Sequence, residues 1–211
     1  DIEFKNIYGM KKLLFITLMM VLSLVAFAQY AAQARKVLDR TAALVGRKGG
    51  ASANFSISSP KIGKTSGSIA IKGSMFYAHT PKAIVWYNGK TQWTLMKKTN
   101  EVNVTTPTEA QRMRMNPYAF ITMYKHGYKM GMTKKGANYV IHLTATNRQR
   151  SVSEMYLTVN ARTYQPSVVK MREGNTWSTI TISNFKAKNL PTSMFTFHAK
   201  DFPKAEVIDL R

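Results

Sequence analysis

Residues 83–104 limit the fold more than any other stretch. Ile84-Val85-Trp86-Tyr87 is a strand-like run that stops at Asn88-Gly89, two residues that both tolerate positive φ and so favour a tight hairpin. The chain returns as Thr91-Gln92-Trp93-Thr94-Leu95-Met96, with Trp93 and Leu95 on one face and Thr94 on the other. Thr99-Asn100 makes a second turn, and Glu101-Val102-Asn103-Val104 alternates. The spacing predicts three consecutive antiparallel strands with one apolar face, a meander. That face is expected to be one wall of an apolar cavity, covered by other parts of the chain.

Composition narrows the chemistry. The 211 residues suffice for one domain with a proper core. The absence of cysteine excludes disulfides, thiolate metal sites and cysteine catalysis. His79, His126, His142 and His198 are scattered with none at ligand spacing, so neither a metal nor a cofactor is expected. The 31 basic against 10 acidic residues, net +21, speak to partners and solubility and not to fold. Thirteen methionines are expected first as core filler, though methionine also suits adaptable apolar binding surfaces.

The N-terminus bears on where that charge acts. Residues 1–9 read as an upstream extension. From Met10 come Lys11-Lys12, an apolar run from Leu13 to Val25, and Ala26-Phe27-Ala28 before Gln29, the layout of a cleaved signal peptide. A membrane anchor is the competing reading, but the run is short of the roughly 20 residues needed to span. Residue 29 is glutamine rather than cysteine, so no lipid anchor is expected on the product. The expected division is therefore 1–28, removed, and 29–211, an exported domain. Removing three basic and two acidic residues leaves 28 against 8, still +20. An exported protein has little access to nucleic acid, so anionic lipid headgroups or acidic proteins suit that charge better.

Downstream, Ala34, Val37, Leu38, Ala42 and Val45 form a single stripe at helical spacing over 29–45, ended by Gly46, Gly49 and Gly50. Ala53 to Ser58 alternates, with Phe55 and Ile57 on one side. Pro60 to Gly67 reads as a loop. Its Gly63-Lys64-Thr65 has the tail of a phosphate-binding loop, but Ser58 stands where the first glycine is required. Ser68–Lys72 and Ser74–His79 read as strands. After the meander, Thr106-Pro107-Thr108-Glu109 has an N-cap, a proline at the first helical position and a glutamate at the third. Asn116-Pro117 repeats the signal, and the second short helix carries Phe120, Ile121 and Tyr124 before Gly127. It is expected either to pack permanently on the core or to act as a lid. Five more strands follow over 128–185, separated by polar turns. The expected fold is mainly β: one strongly curved, unclosed antiparallel sheet of about eleven strands, with three helices on its concave side.

Four landmarks in this order resemble the periplasmic outer-membrane lipoprotein carrier family, the LolA type. They are the helix with Val37-Leu38-Asp39, the turn Asn88-Gly89-Lys90-Thr91 with Trp93, the helix Asn116-Pro117 with Phe120, and the ending Phe195-Thr196-Phe197 with Val207-Ile208-Asp209. The resemblance spans Ala31 to Arg211. It implies an unclosed barrel with a helical lid. It also implies a monomeric periplasmic chaperone that takes acylated lipoproteins from an inner-membrane ABC extractor to the outer membrane, often through an acceptor there. One departure stands out. Many members place an arginine just after the strand matching Ser68–Lys72, where it bonds to the lid; Gly73 stands here, followed by Ser74. Either Lys72 substitutes as a point charge without the guanidinium fork, or the lid opens more readily.

Such a carrier must match what the membrane offers. A triacylated cysteine hides about forty methylenes, on the order of 30 kcal/mol at about 0.8 kcal/mol each. The residues expected to line the hollow are Phe55, Ile57, Ile69, Ile71, Trp93, Leu95, Val102, Val104, Met155 and Leu157, with Phe120, Ile121 and Tyr124 from above. An enzyme is not expected: no two of the eight acidic residues beyond residue 28 sit as an acid/base pair, and no Gly-x-Ser-x-Gly elbow occurs. A lipoprotein sensor, or a carrier of another lipid with the same fold, is the alternative.

Overall fold

The computed structural model describes residues 29–61, 63–108 and 122–211. Helix α1 occupies 29–45, and all five residues of its predicted stripe are buried. It ends where Gly46 donates to the Ala42 carbonyl at 2.8 Å. Gly50, at φ +98°, then turns the chain into the first strand; a Cβ there would lie 2.7 Å from the Ile71 carbonyl oxygen.

Among the described residues twelve strands follow, against about eleven expected: β1 (Ala51–Ser59), β2 (Gly63–Lys72), β3 (Met75–His79), β4 (Ala83–Tyr87), β5 (Gln92–Met96), β6 (Glu101–Thr105), β7 (Tyr128–Lys135), β8 (Asn138–Ala145), β9 (Val152–Asn160), β10 (Pro166–Glu173), β11 (Thr176–Ala187) and β12 (Glu206–Asp209). They form one sheet in the order β12-β6-β5-β4-β3-β2-β1-β11-β10-β9-β8-β7. Its two ends, β12 and β7, do not pair with each other, so the sheet is unclosed. Every pairing is antiparallel except β12 on β6.

The sheet curls around α1. Ala34, Val37 and Leu38 pack on β8, β9 and β10, whereas Ala42 and Val45 pack on Ile71, Phe76 and Tyr87 of β2, β3 and β4. From Ala34 to Val45 a helix advances about 17 Å. A flat sheet from β8 to β4 would be about 34 Å wide. Both halves of α1 reach their strands only because the sheet is strongly bent, with α1 on its concave side.

Two expectations are corrected. The stretch Gly63–Gly67 is strand and not loop: Gly63-Lys64-Thr65 opens β2, paired with Ser59, Ser58 and Ile57, so it is no phosphate loop leading into a helix. Short polar residues that alternate, as Lys64-Thr65-Ser66 do, serve as strand once a long neighbour pairs with them. Among the described residues α1 is the one α-helix, in place of three. The residues of the other two, 109–121, lie outside those described; what is described of their end is a 3-10 turn, Met123–Lys125.

The outer face of β2–β6 has its own cover, the chain between β11 and β12. Leu190 and Phe195 pack with Ala70, and Phe197, Phe202 and Ala205 pack on Ile84, Trp86, Leu95 and Val102. Phe195, fully buried, closes a 3-10 turn. Lys72 donates from Nζ to the Leu190 carbonyl at 2.6 Å, on this same face.

Candidate functional site

The concave face has a filled part and an open part. Beneath α1, Met155 and Leu157 have essentially no exposure, and Ile71 is buried under Ala42 and Val45. These three expected lining residues face inward, but helix side chains already occupy the space above them. Beside α1, β1 and its two neighbours present Phe55, Ile57, Ile69, Ile180 and Ile182; Ile180 and Ile182 border the cluster that holds Leu38, and Ile69 the one that holds Ala42 and Val45. Phe55 pairs with Ile182, Ile57 with Ile180, and Ala53 with Ile69, so all five point to the same side of the sheet. All five are only half-buried. Ala78 and Val85 continue the strip onto β3 and β4, in register with Ile69. It is a band of hydrocarbon, free of charged side chains, on the inner wall of an unclosed sheet. Phe55, Ile57 and Ile69 were legible from the sequence. Ile180 and Ile182 were missed, although their alternation within Thr176–Phe185 was the available signal.

Tyr124 was expected in the roof of the hollow. Its side chain is buried in the core with Leu38, its hydroxyl donates to the Asp39 carboxylate, and the Arg35 guanidinium lies 5.9 Å from its ring centre. Tyr124 thus ties the chain entering β7 to α1. Phe120 and Ile121 lie outside the described residues.

Trp93, Leu95, Val102 and Val104 are on the other face. Trp93 pairs with Trp86 and Val104, and Leu95 with Ile84 and Val102, so this ladder points away from α1. Phe197 and Phe202 cap it, each with its ring centre 5.4 Å from that of Trp86. The alternation was read correctly, but the strands are apolar on both sides. Val85 and Tyr87 face α1 while Ile84 and Trp86 face the C-terminal cover. Trp93 emission should therefore stay flat while a fatty-acyl ligand is titrated against a variant in which Trp86 and Trp177 are phenylalanine. A shift of several nanometres would place ligand on the outer face.

Lys72 does not stand in for the family's arginine: its ammonium is engaged with the C-terminal cover on the outer face. Gly73, at φ +60°, sits in the β2–β3 turn with open space where a Cβ would be. Among the described residues no group of three or more His, Cys, Asp or Glu could hold a metal, and no helix is long and apolar enough to cross a membrane.

The family model described as outer membrane lipoprotein carrier protein LolA matches residues 24–175, which is most of the chain. The chain belongs to the LolA family. No curated protein matches it. Among solved structures it resembles an uncharacterized conserved protein from Thermus thermophilus, at 13% identity and a TM-score of 0.58, covering 84% of this chain and 99% of that one. A LolA superfamily protein from Nitrosomonas europaea aligns at 12% identity and a TM-score of 0.43, over 78% of this chain and 97% of that one. LprF from Mycobacterium bovis aligns at 10% identity and a TM-score of 0.43, over 76% and 97%. At such an identity the Thermus likeness speaks to the fold alone: an open, curled sheet with, among the described residues, one α-helix.

Proposed function

We propose that this LolA-family chain is a periplasmic chaperone that shelters the acyl chains of lipoproteins between the inner and outer membranes. The observation that carries the reading is the half-exposed strip Phe55, Ile57, Ile69, Ile180 and Ile182 on the inner wall of an unclosed sheet. A folded protein gains by covering such side chains, at about 25 cal/mol per Å² of apolar surface, and among the described residues nothing covers them fully. Hydrocarbon tails are a fitting cover, and the wall needs no chemistry beyond dryness.

In this reading Tyr124, bonded to Asp39, fixes the chain entering β7 against α1 at the end of the strip. The region over Met155 and Leu157 becomes available only if α1 moves. Residues 10–28 direct export. The +20 of the exported part favours approach to anionic headgroups and to acidic faces of an inner-membrane extractor and an outer-membrane acceptor. No energy source is encoded, so loading is driven by the extractor and unloading by a better sink.

The test is to isolate the protein from a periplasmic extract and identify its cargo by mass spectrometry, alongside release of lipoproteins from spheroplasts by added protein. Triacylated lipoprotein in both is the expected result. Phospholipid alone would make it a carrier of another lipid, and neither would end the reading.

A further inference from the structure

The outer face of β8–β11 holds a groove of about 540 Å³, lined by Lys135, Val140, Tyr156, Thr158, Lys170 and Trp177. These residues alternate with Ile141, Leu157 and Val169, which face α1, so the groove lies on the side of the sheet away from the acyl strip. Its size falls in the roughly 300–1,000 Å³ range of small-ligand sites.

The groove is built rather than merely exposed. The Tyr156 ring stacks on His142 at 4.3 Å, with 2° between the planes. Its hydroxyl donates to Glu154 Oε1 at 3.0 Å; His142 Nε2 lies 2.8 Å from the same oxygen, and Arg172 Nη1 lies 3.5 Å from Oε2. Burial alone would raise the Glu154 pKa, but the bonds from Tyr156 and His142 outweigh it and hold the carboxyl below its ordinary value. The one carboxylate beside the groove is therefore consumed by its own neighbours, and its bonds lock the aromatic plates in place. Lys135 and Lys170 form no ion pair among the described residues. Trp177, 39% exposed, lies beside Tyr156 with ring centres 5.9 Å apart.

A second groove of about 520 Å³ shares Thr179 with the first and continues over β11, β1 and β2; Ser56, Ser58, Ser66 and Thr181 line it with Lys64, Pro81 and Lys82, and it also touches Ile57, whose side chain points to the inner wall. Together they make one furrow with a hydroxyl floor, ammonium rims and an aromatic wall at one end. Strands β8–β11, β1 and β2 are paired on both sides, so a peptide cannot add to them as a strand. Hydroxyls, a flat apolar plate and unpaired lysines in line suit a ligand rich in hydroxyls, with flat apolar ring faces and repeated negative charge.

We propose that this furrow is a second binding site, independent of the acyl strip, for an acidic glycan chain whose sugar rings lie on Trp177 and whose carboxylates meet Lys135 and Lys170. Aromatic pairs across strands also stabilise a sheet. That role alone would not need an exposed Trp177 or lysines without partners.

The full chain is titrated with hexagalacturonate, maltohexaose and hexathymidylate, followed by calorimetry and Trp177 emission. The proposal expects hexagalacturonate to bind, maltohexaose to bind at least tenfold more weakly, and affinity for hexagalacturonate to fall as salt rises. Trp177→Ala should weaken it at least tenfold, Trp177→Phe much less, and K135Q/K170Q at least tenfold with a flatter salt dependence. The lysine pair decides the matter should Trp177→Ala fold poorly. No binding of hexagalacturonate, equal binding of maltohexaose, or variants that bind like the parent would overturn the proposal. Tighter binding of hexathymidylate would overturn it in favour of a single-stranded nucleic-acid site.

Discussion

Trp86→Ala is expected to destabilise the protein by about 3–5 kcal/mol, the range for truncating a buried large aromatic side chain. Trp86 is 6% exposed and lies at the centre of the outer-face cluster. It meets Phe197 and Phe202 edge-on at 5.4 Å and Tyr77 at 5.9 Å, and such ring pairs add about 0.5–1.5 kcal/mol each beyond their area. The loss should be uneven. Residues 196–205 rest on this ring, and β12 follows them directly onto the edge of β6. Amide protection in β12 should therefore fall further than in β8 or β9. Urea unfolding followed by circular dichroism gives the global number, and hydrogen exchange gives the distribution. Trp177→Ala, at an exposed site, supplies the comparison, expected within about 1 kcal/mol of the parent. A Trp86→Ala variant as stable as Trp177→Ala would mean that the C-terminal cover does not seat on this face.

Trp86 and Trp93 also show how far the sequence could be read. Local signals carry strand identity well. Asn88-Gly89 and the alternation around it marked β4, β5 and β6 almost to the residue, and the stripe on α1 marked all five of its buried positions. The same signals cannot say which side of a strand meets which cover. When both faces are apolar, as Val85 and Trp86 make them on β4, the choice is settled by partners more than a hundred residues away, here Phe197 and Phe202. Those partners carry no periodicity of their own, because 3-10 turns and extended chain have none. Lys72 is misjudged for the same reason: its bond to the Leu190 carbonyl spans 118 residues. Conversely, the facing of Phe55, Ile57 and Ile69 could be read because the other face of β1 and β2 is serine, asparagine and lysine, with Ala70 its single apolar side chain.

That one-sidedness sets up the largest functional effect. The double variant F55D/I180D is expected to lower acyl loading at least a hundredfold while leaving the fold intact. In the empty protein both positions are half-buried, so each carboxylate can turn toward water and cost only modest stability. With hydrocarbon against the strip the same carboxylates lose that water. Each site forfeits the roughly 1.5–3 kcal/mol of an apolar side chain covered by the ligand, and adds the cost of desolvating a charge. Two such losses exceed the roughly 2.7 kcal/mol that corresponds to a hundredfold in affinity. Leu157→Asp would be the wrong experiment, since that side chain is sealed beneath α1 and a carboxylate there should unfold the domain. Ser56→Asp is the matched control: it puts the same charge on β1, next to Phe55 but exposed and pointing to the outer face, and should leave loading unchanged. Loading is measured with a fluorescent acyl probe and with lipoprotein released from spheroplasts, and folding by circular dichroism. If the folded double variant loads like Ser56→Asp, hydrocarbon does not lie on β1 and β11, and the strip is no more than a poorly covered core.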